Sequence, residues 1–204
     1  MFEFVKEKTA LVIVDLQNDF VREGGAMKVE EALPTLEANK KLIAFARKNG
    51  MPVIFTKFLI GNVKTFLWNW SPESGTKNNC KRGFERYYPD IDATRPCADV
   101  VDELGPILPE DYVVEKYNYS SFHHTNLIDI LDSEGRDAVI FTGTVTQICV
   151  ECTVHDAFAM GIKAIVASDC VSSFSSFQQQ ACLENIAHKF GVVATSDEII
   201  ARFG

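Results

Sequence analysis

Three side chains that together could perform nucleophilic attack on a carbonyl carbon each lie at or just after the end of an apolar run. Asp15 ends one apolar run, Lys116 ends another, and Cys149 begins a helical pattern just after a third. A thiolate is the nucleophilic form of cysteine, and a carboxylate can take the thiol proton and pass it to a leaving amine. An ammonium group can hold that carboxylate and stabilise the thiolate. The residue types therefore predict a small cysteine hydrolase, provided that the fold brings them together.

The elements that must position these residues follow from the hydrophobic pattern. Almost wholly apolar runs alternate with helical patterns, which is typical of βαβ units and of parallel strands buried on both faces. We predict strands at 9–15, 52–58, 111–116, 137–142, 163–168 and 192–194, and helices at about 35–49, 124–133, 147–160 and 176–190. The predicted fold is α/β, a doubly wound and mostly parallel six-stranded sheet with helices on both faces.

Ligands of such sheets bind outside the carboxyl ends of the strands. Asp15 and Lys116 end strands and Cys149 follows one, so we expect all three at one edge of the sheet. The amino end of a helix and a nearby ammonium both lower a thiol pKa, which predicts a thiolate at Cys149. Backbone N–H groups of the turn over 143–148, with that of Cys149, could bind an oxyanion.

Length and composition limit the remaining possibilities. The chain has 204 residues, 47% of them apolar, which predicts one domain over 1–204 with a long irregular excursion at about 60–110. A net charge of −8 argues against nucleic acid or an anionic membrane as a partner. We expect a cytoplasmic protein with reduced cysteines, because no run of about 18 apolar residues and no signal peptide are present.

Three stretches together resemble the isochorismatase-like cysteine hydrolases, a family that includes nicotinamidases, N-carbamoylsarcosine amidase, biuret hydrolases and ureidoacrylate amidohydrolases. They are Ala-Leu-Val-Ile-Val-Asp-Leu-Gln-Asn-Asp-Phe at 10–20, Val-Glu-Lys-Tyr-Asn-Tyr-Ser-Ser-Phe at 114–122 and Gly-Thr-Val-Thr-Gln-Ile-Cys-Val-Glu-Cys-Thr at 143–153. Asp156, Ala157 and Gly161 follow the third stretch as in the family. The resemblance extends over roughly residues 9–195 and implies the isochorismatase-like three-layer fold.

The resemblance also implies a role for each residue of the site. Asp15 corresponds to the general base, Lys116 to its charged partner and Cys149 to the nucleophile. The peptide bond between Thr144 and Val145 corresponds to a cis bond of the family, and the N–H groups of Val145 and Cys149 to its oxyanion hole. The implied reaction forms a thioester with loss of an amine or ammonia, and water then hydrolyses the thioester.

The departures from the family pattern favour its metal-free, carbamoyl-amidase branch. Nicotinamidases carry a metal-binding Asp-x-His pattern after strand two, where this chain has Thr-Lys-Phe-Leu-Ile-Gly at 56–61. We therefore expect no metal and no other cofactor. Isochorismatases cleave a vinyl ether and usually lack the nucleophilic cysteine, so Cys149 favours cleavage of a C–N bond in a small carboxamide or ureido substrate. A vinyl ether hydrolase and a nicotinamidase remain the alternatives within the family.

The sequence predicts the substrate-contacting residues less specifically than it predicts the catalytic ones. Phe20, Tyr117 and Phe122 lie in the matching stretches and are predicted to wall the pocket, with core packing as the other interpretation. Less specific candidates lie in the excursion or just after the Lys116 stretch: Trp68, Trp70, Arg82, Arg86, Arg95, His123 and His124. For the arginines we favour ion pairs at the surface, and for the histidines a surface position. The resemblance implies a homodimer or homotetramer.

Two other protein classes remain open at this point. Cys149 and Cys152 form a Cys-x-x-Cys pair at a helix start, as a redox protein requires. A thioredoxin-like site has a later cis-proline, and no proline follows Pro109 here. Cys152 is better interpreted as a packing residue, although it could trap Cys149 as a reversible disulfide. The second class is a binding protein without catalysis on the same fold.

Overall fold

The computed structural model describes residues 3–60 and 78–204. Its strands are β1 (Thr9–Val14), β2 (Val53–Phe58), β3 (Glu85–Tyr88), β4 (Ala93–Pro96), β5 (Tyr112–Lys116), β6 (Ala138–Thr144), β7 (Lys163–Ser172) and β8 (Val192–Ala194). Six of them form one sheet in the order β5-β2-β1-β6-β7-β8, and every neighbouring pair in it is parallel. The chain builds outward from β1 in one direction and then from β6 in the other. The topological switch point therefore lies between β1 and β6.

Helices cover both faces of this sheet. They are α1 (Asn18–Val21), α2 (Leu36–Lys48), α3 (Leu127–Ser133), α4 (Glu151–Ala159), α5 (Ser176–Asn185) and α6 (Ser196–Phe203). Alternate residues of β1 point to opposite faces, so Leu11 and Ile13 share one apolar core with α2 and α6. Val12 shares the other core with Leu127 of α3, Val154 of α4 and Cys182 of α5. This arrangement confirms the predicted doubly wound α/β fold.

Several element boundaries differ from the predictions. The helix predicted at 147–160 begins as a π-helical turn over Thr146–Val150, and the one predicted at 176–190 ends as a π-helical turn over Ile186–Phe190. The helix predicted from 124 begins only at Leu127, whose N–H donates to the Thr125 hydroxyl. Strand β7 continues to Ser172 past a register shift against β6. Hydrophobic periodicity does not encode the Thr125 hydrogen bond at the start of α3 or the extra pairing of β7 with β6.

The short helix α1, one hairpin and the terminal helix were not predicted at all. The antiparallel hairpin of β3 and β4 lies inside the excursion, whose Trp68 and Trp70 fall outside the described residues. The terminal helix α6 begins with a capping box, in which the Thr195 hydroxyl accepts from the Glu198 N–H and the Glu198 carboxylate accepts from the Thr195 N–H. Within 3–60 and 78–204, no helix combines the length and apolarity needed to cross a bilayer.

Candidate functional site

Asp15 immediately follows β1 at the switch point of the sheet. Its backbone is in the left-handed region, with φ 51°, and its side chain is fully buried. Thr56 of β2 holds it at two points: the Thr56 hydroxyl donates to Asp15 Oδ1 at 2.6 Å and accepts from the Asp15 N–H at 3.2 Å. The carboxylate therefore has a fixed orientation, with Oδ2 directed away from Thr56.

A glycine on the neighbouring strand allows β1 and β6 to approach here. Gly143 has φ 101°, and a Cβ atom added to it would lie 1.9 Å from the carbonyl oxygen of Val14. No side chain fits at that distance, so only glycine permits the backbone path that joins β6 to the turn before Cys149. Gly143 is thus required by the close approach of its backbone to the end of β1, which Asp15 follows.

Lys116, the last residue of β5, points into this buried space. Its Nζ lies 2.6 Å from Asp15 Oδ2, and both side chains are completely inaccessible to solvent. The same Nζ donates to the carbonyl oxygens of Asn118 and Tyr119, at 3.1 and 2.8 Å, and lies 5.3 Å from the centre of the Phe58 ring. Burial lowers the pKa of Lys116, but the Asp15 carboxylate and, less strongly, Cys149 outweigh it, so the pKa is raised overall. Lys116 is therefore protonated.

Cys149 lies in the π-helical turn after β6 and completes the cluster. It is 4% exposed and within hydrogen-bonding reach of both Asp15 and Lys116. Burial raises the pKa of the Cys149 thiol to about 12, although Lys116 acts in the opposite direction. This raised pKa is opposite to the lowering that the sequence predicts and favours a resting thiol, because desolvation outweighs the ammonium group. The structure thus brings Asp15, Lys116 and Cys149 together, in surroundings that raise the pKa of the thiol.

The turn that carries Cys149 has an unusual backbone. The peptide bond between Thr144 and Val145 is cis. The Val145 carbonyl accepts from the N–H groups of Ile148 and Val150, at 3.0 and 3.2 Å, and this folds the turn around the cysteine. The use of the Val145 and Cys149 N–H groups as an oxyanion hole remains a prediction.

The residues predicted to wall a pocket lie in different surroundings. Phe20 is buried in the core that α2 covers, and its ring centre is 6.2 Å from that of Phe58. Phe122 is buried in the opposite core, to which Cys149 also belongs. Tyr117 is half-buried, packed against the first core and hydrogen-bonded to Arg82. Their contact with a substrate remains a prediction.

The arginines that the sequence offered as less specific substrate contacts form ion pairs with other residues. Arg82 pairs with Glu115, and Arg95 pairs with Asp102 at 2.9 Å. Arg86 donates from Nε to the buried carboxylate of Asp19 at 2.8 Å. His123 and His124 are exposed, with ring centres 4.3 Å apart. In the part of the chain that the structure describes, no group of three or more His, Cys, Asp or Glu side chains could hold a metal ion.

Sequence reasoning missed three residues that support the cluster. Thr56 orients Asp15, the Phe58 ring faces the Lys116 ammonium, and Asp19 binds the excursion to the first motif. Only Asp19 left a signal, as a second carboxylate within the quoted stretch over 10–20. Thr56 and Phe58 look like ordinary residues of a buried strand, and their partners lie far away along the chain.

Fold and site together define a doubly wound α/β protein with a buried cysteine–aspartate–lysine cluster at its switch point. The chain belongs to the isochorismatase family, because residues 9–198 match the model of the isochorismatase domain. It is 32% identical over 214 residues to the ureidoacrylate amidohydrolase RutB of Pseudomonas syringae pv. syringae (strain B728a), an alignment covering 96% of this chain and 84% of the relative.

Two solved structures have the same fold. A cysteine hydrolase from Pseudomonas syringae pv. phaseolicola 1448A has a TM-score of 0.88 at 27% identity, covering 100% of this chain and 95% of that one. The N-carbamoylsarcosine amidase from Thermoplasma acidophilum has a TM-score of 0.75 at 28% identity, covering 93% and 97%. Both similarities extend over almost the whole of each chain.

Proposed function

We propose that this protein is an amidohydrolase that cleaves the C–N bond of a small carboxamide or ureido substrate through a thioester on Cys149. The observation that carries the proposal is the position of Asp15, whose carboxylate is within reach of the Cys149 thiol while Oδ2 lies 2.6 Å from the Lys116 ammonium. A neutral thiol needs a base at the moment of attack, and this carboxylate is placed to act as one.

The first half of the reaction transfers the acyl group to sulfur. As Cys149 Sγ attacks the carbonyl carbon, its proton passes to Asp15, and the carbonyl oxygen becomes an oxyanion facing the N–H groups of Val145 and Cys149. Collapse of this intermediate breaks the C–N bond. The proton on Asp15 passes to the nitrogen, which leaves as an amine or ammonia, and the acyl group remains on Cys149 as a thioester.

The second half regenerates the enzyme. Water attacks the thioester carbon while Asp15 accepts a proton from it, and the C–S bond then breaks. The acid product leaves, and the sulfur takes the proton back from Asp15. Lys116 keeps its proton throughout, since its raised pKa opposes release, and stabilises whichever of the two neighbours is anionic.

The substrate class rests on the relatives and on the nucleophile. The names of two relatives specify a ureido compound and a carbamoyl amino acid, and both compounds contain a C–N bond next to a carbonyl group. Acyl transfer through a thioester requires a thiol nucleophile, which has no role in opening a vinyl ether. We therefore rank isochorismate below ureidoacrylate, N-carbamoylsarcosine and biuret as a candidate substrate.

An ammonia-release assay across these compounds, with nicotinamide and isochorismate included, tests the proposal. The protein should turn over a ureido or carboxamide compound, and rapid quenching followed by mass spectrometry should find an acyl group on Cys149. Cys149→Ala should lose turnover completely. Cys170→Ala is the matched control, since Cys170 is buried on β7 and forms no part of the cluster. Full turnover by Cys149→Ala would rule out the mechanism.

We further propose a homo-oligomer, a dimer or tetramer, in the cytoplasm. All six cysteines are unpaired, which supports a reducing compartment. Phe177 is 79% exposed and Phe174 47% exposed on the segment after β7, and large exposed rings are typical of subunit contacts. Light scattering of the purified protein should give a mass of two or four chains, and a monomer at micromolar concentration would contradict this.

A further inference from the structure

We propose that Thr153 is a positioning residue, whose hydroxyl connects the helix that carries Cys149 to the loop that holds Lys116. The inference rests on the proposed function, because it concerns the alignment of that reaction's nucleophile. Thr153 lies one helical turn beyond Cys149, in the first turn of α4, and is completely buried. It touches neither Asp15 nor Lys116 through any described hydrogen bond, so its effect would be exerted through other groups.

The Thr153 hydroxyl has three close polar neighbours. It donates to the Cys149 carbonyl oxygen at 2.6 Å and accepts from the Ser121 N–H at 3.0 Å, and the hydroxyl oxygens of Thr153 and Ser121 are 3.2 Å apart. A hydroxyl group has one proton and two lone pairs. The Thr153 hydroxyl gives its proton to the Cys149 carbonyl oxygen, so its two lone pairs can accept from the N–H and the hydroxyl of Ser121. All three hydrogen-bonding positions of the hydroxyl are then used to connect the two segments.

The Ser121 end of this connection leads directly to Lys116. Ser121 belongs to the loop between β5 and α3, and the carbonyl oxygens of Asn118 and Tyr119 in that same loop accept from Lys116 Nζ. The Thr125 hydroxyl closes the loop by donating to the Ser121 carbonyl. The loop is therefore bound at one end to the ammonium group and at the other to the helix turn of the thiol. The Thr153 hydroxyl thus links the two segments directly.

Loss of this hydroxyl would affect the reaction more than the fold. Thr153→Val keeps the shape of the side chain but leaves the Ser121 N–H without its acceptor and the Cys149 carbonyl without that donor. The turn over Thr146–Val150 then loses a contact next to the nucleophile, so the sulfur would drift relative to Asp15. Buried groups left unpaired in this way typically change an equilibrium or rate by about tenfold to a hundredfold.

The test compares Thr153→Val, Thr153→Ser and Thr142→Val in the full-length protein. Thr142 is a matched control: it is fully buried on β6, and its hydroxyl has no hydrogen-bond partner among the described residues. Two quantities are measured for each: kcat and KM with a substrate found in the screen, and the pH profile of Cys149 alkylation by iodoacetamide, followed by peptide mass mapping. Urea denaturation confirms that each variant is folded.

We expect Thr153→Val to lower kcat by about tenfold to a hundredfold with little change in KM, and to shift the alkylation profile of Cys149. Thr153→Ser should restore most of the loss, and Thr142→Val should match the wild type. A wild-type kcat and alkylation profile in Thr153→Val would overturn the proposal, as would a Thr153→Ser variant as impaired as the valine variant. The alkylation measurement needs no substrate, so it separates failure of this inference from failure of the proposed function.

Discussion

Asp15 and Asp19 are two fully buried carboxylates in the same motif, and their surroundings differ in one respect. Asp19 is saturated with donors: Oδ1 accepts from Arg86 Nε at 2.8 Å and the Tyr88 hydroxyl at 2.9 Å, and Oδ2 accepts from the Cys80 N–H at 2.9 Å. Asp15 accepts one hydrogen bond on Oδ1, from the Thr56 hydroxyl, and its Oδ2 forms an ion pair with Lys116 Nζ at 2.6 Å.

This difference separates a structural carboxylate from a reactive one. The Arg86, Tyr88 and Cys80 donors come from the excursion, so Asp19 connects the hairpin of β3 and β4 to the helix that follows β1. Its lone pairs are occupied, and accepting a proton would require breaking those bonds. Asp15 accepts fewer hydrogen bonds and lies within hydrogen-bonding reach of Cys149, so it can accept the thiol proton. Burial and a cationic partner are common to both residues, so neither property by itself identifies the base.

The largest expected difference between the two is in turnover. Asp15→Asn should lower kcat/KM by about 1,000-fold, because it removes the group that takes the thiol proton. Asp19→Asn should stay within about tenfold of the wild type once assayed at a temperature where it is folded. Steady-state kinetics with the best substrate of the screen measures both. Equal losses in the two variants would show that the comparison assigns the wrong roles.

Asp15→Asn and Asp19→Asn should lower the free energy of unfolding by similar amounts, so a difference in turnover between them cannot be attributed to stability. Each substitution breaks a buried ion pair, so each should lower the free energy of unfolding by about 3 kcal/mol. Asp19→Asn also presents amide hydrogens to the Arg86 and Tyr88 donors. Urea denaturation followed by circular dichroism gives the values. An Asp19→Asn variant as stable as the wild type would mean that the hairpin is held by other contacts.

The pH dependence of Cys149 alkylation should move in a defined direction. With a thiol pKa of about 12, the thiolate fraction and the alkylation rate should still be rising at pH 10 in the wild type. The Asp15 carboxylate raises the pKa of that thiol, so Asp15→Asn should shift the profile to lower pH. Lys116 lowers it, so Lys116→Met should shift the profile to higher pH. Asp19→Asn serves as the control and should leave the alkylation profile unchanged. An alkylation rate that reaches a plateau near pH 7 in the wild type would show that Cys149 is already a thiolate.

The smallest expected effects come from the hydroxyl donors of the two carboxylates. Thr56→Val removes the donor to Asp15 Oδ1 and should lower kcat about tenfold, because the base loses its orientation. Tyr88→Phe removes the donor to Asp19 Oδ1 and should cost about 1 kcal/mol of stability with an unchanged kcat. Kinetics and urea denaturation on the pair measure both quantities. A slower Tyr88→Phe enzyme would connect Asp19 to catalysis.

Parts of this protein that are encoded locally could be predicted with good accuracy. Val192–Ala194 and the start of β7 at Lys163 match the structure, because each buried strand is a short apolar run between polar breaks. The terminal helix could also have been found, since its Thr-Ser-Asp-Glu capping box is visible at 195–198. The hairpin of β3 and β4 could not, because its strands carry exposed polar residues and are fixed by Asp19, more than 60 positions earlier.

The sequence by itself determined the strand-and-helix alternation and, from it, that Asp15, Lys116 and Cys149 end at one edge of the sheet. Parallel strands place their carboxyl ends together whatever the details of packing, so residue order was sufficient. Only the tertiary structure showed the burial that raises the pKa of Cys149 and the different donors that surround Asp15 and Asp19. Both depend on desolvation and on donors that come from distant segments, and neither quantity can be obtained from the spacing of residues along the chain.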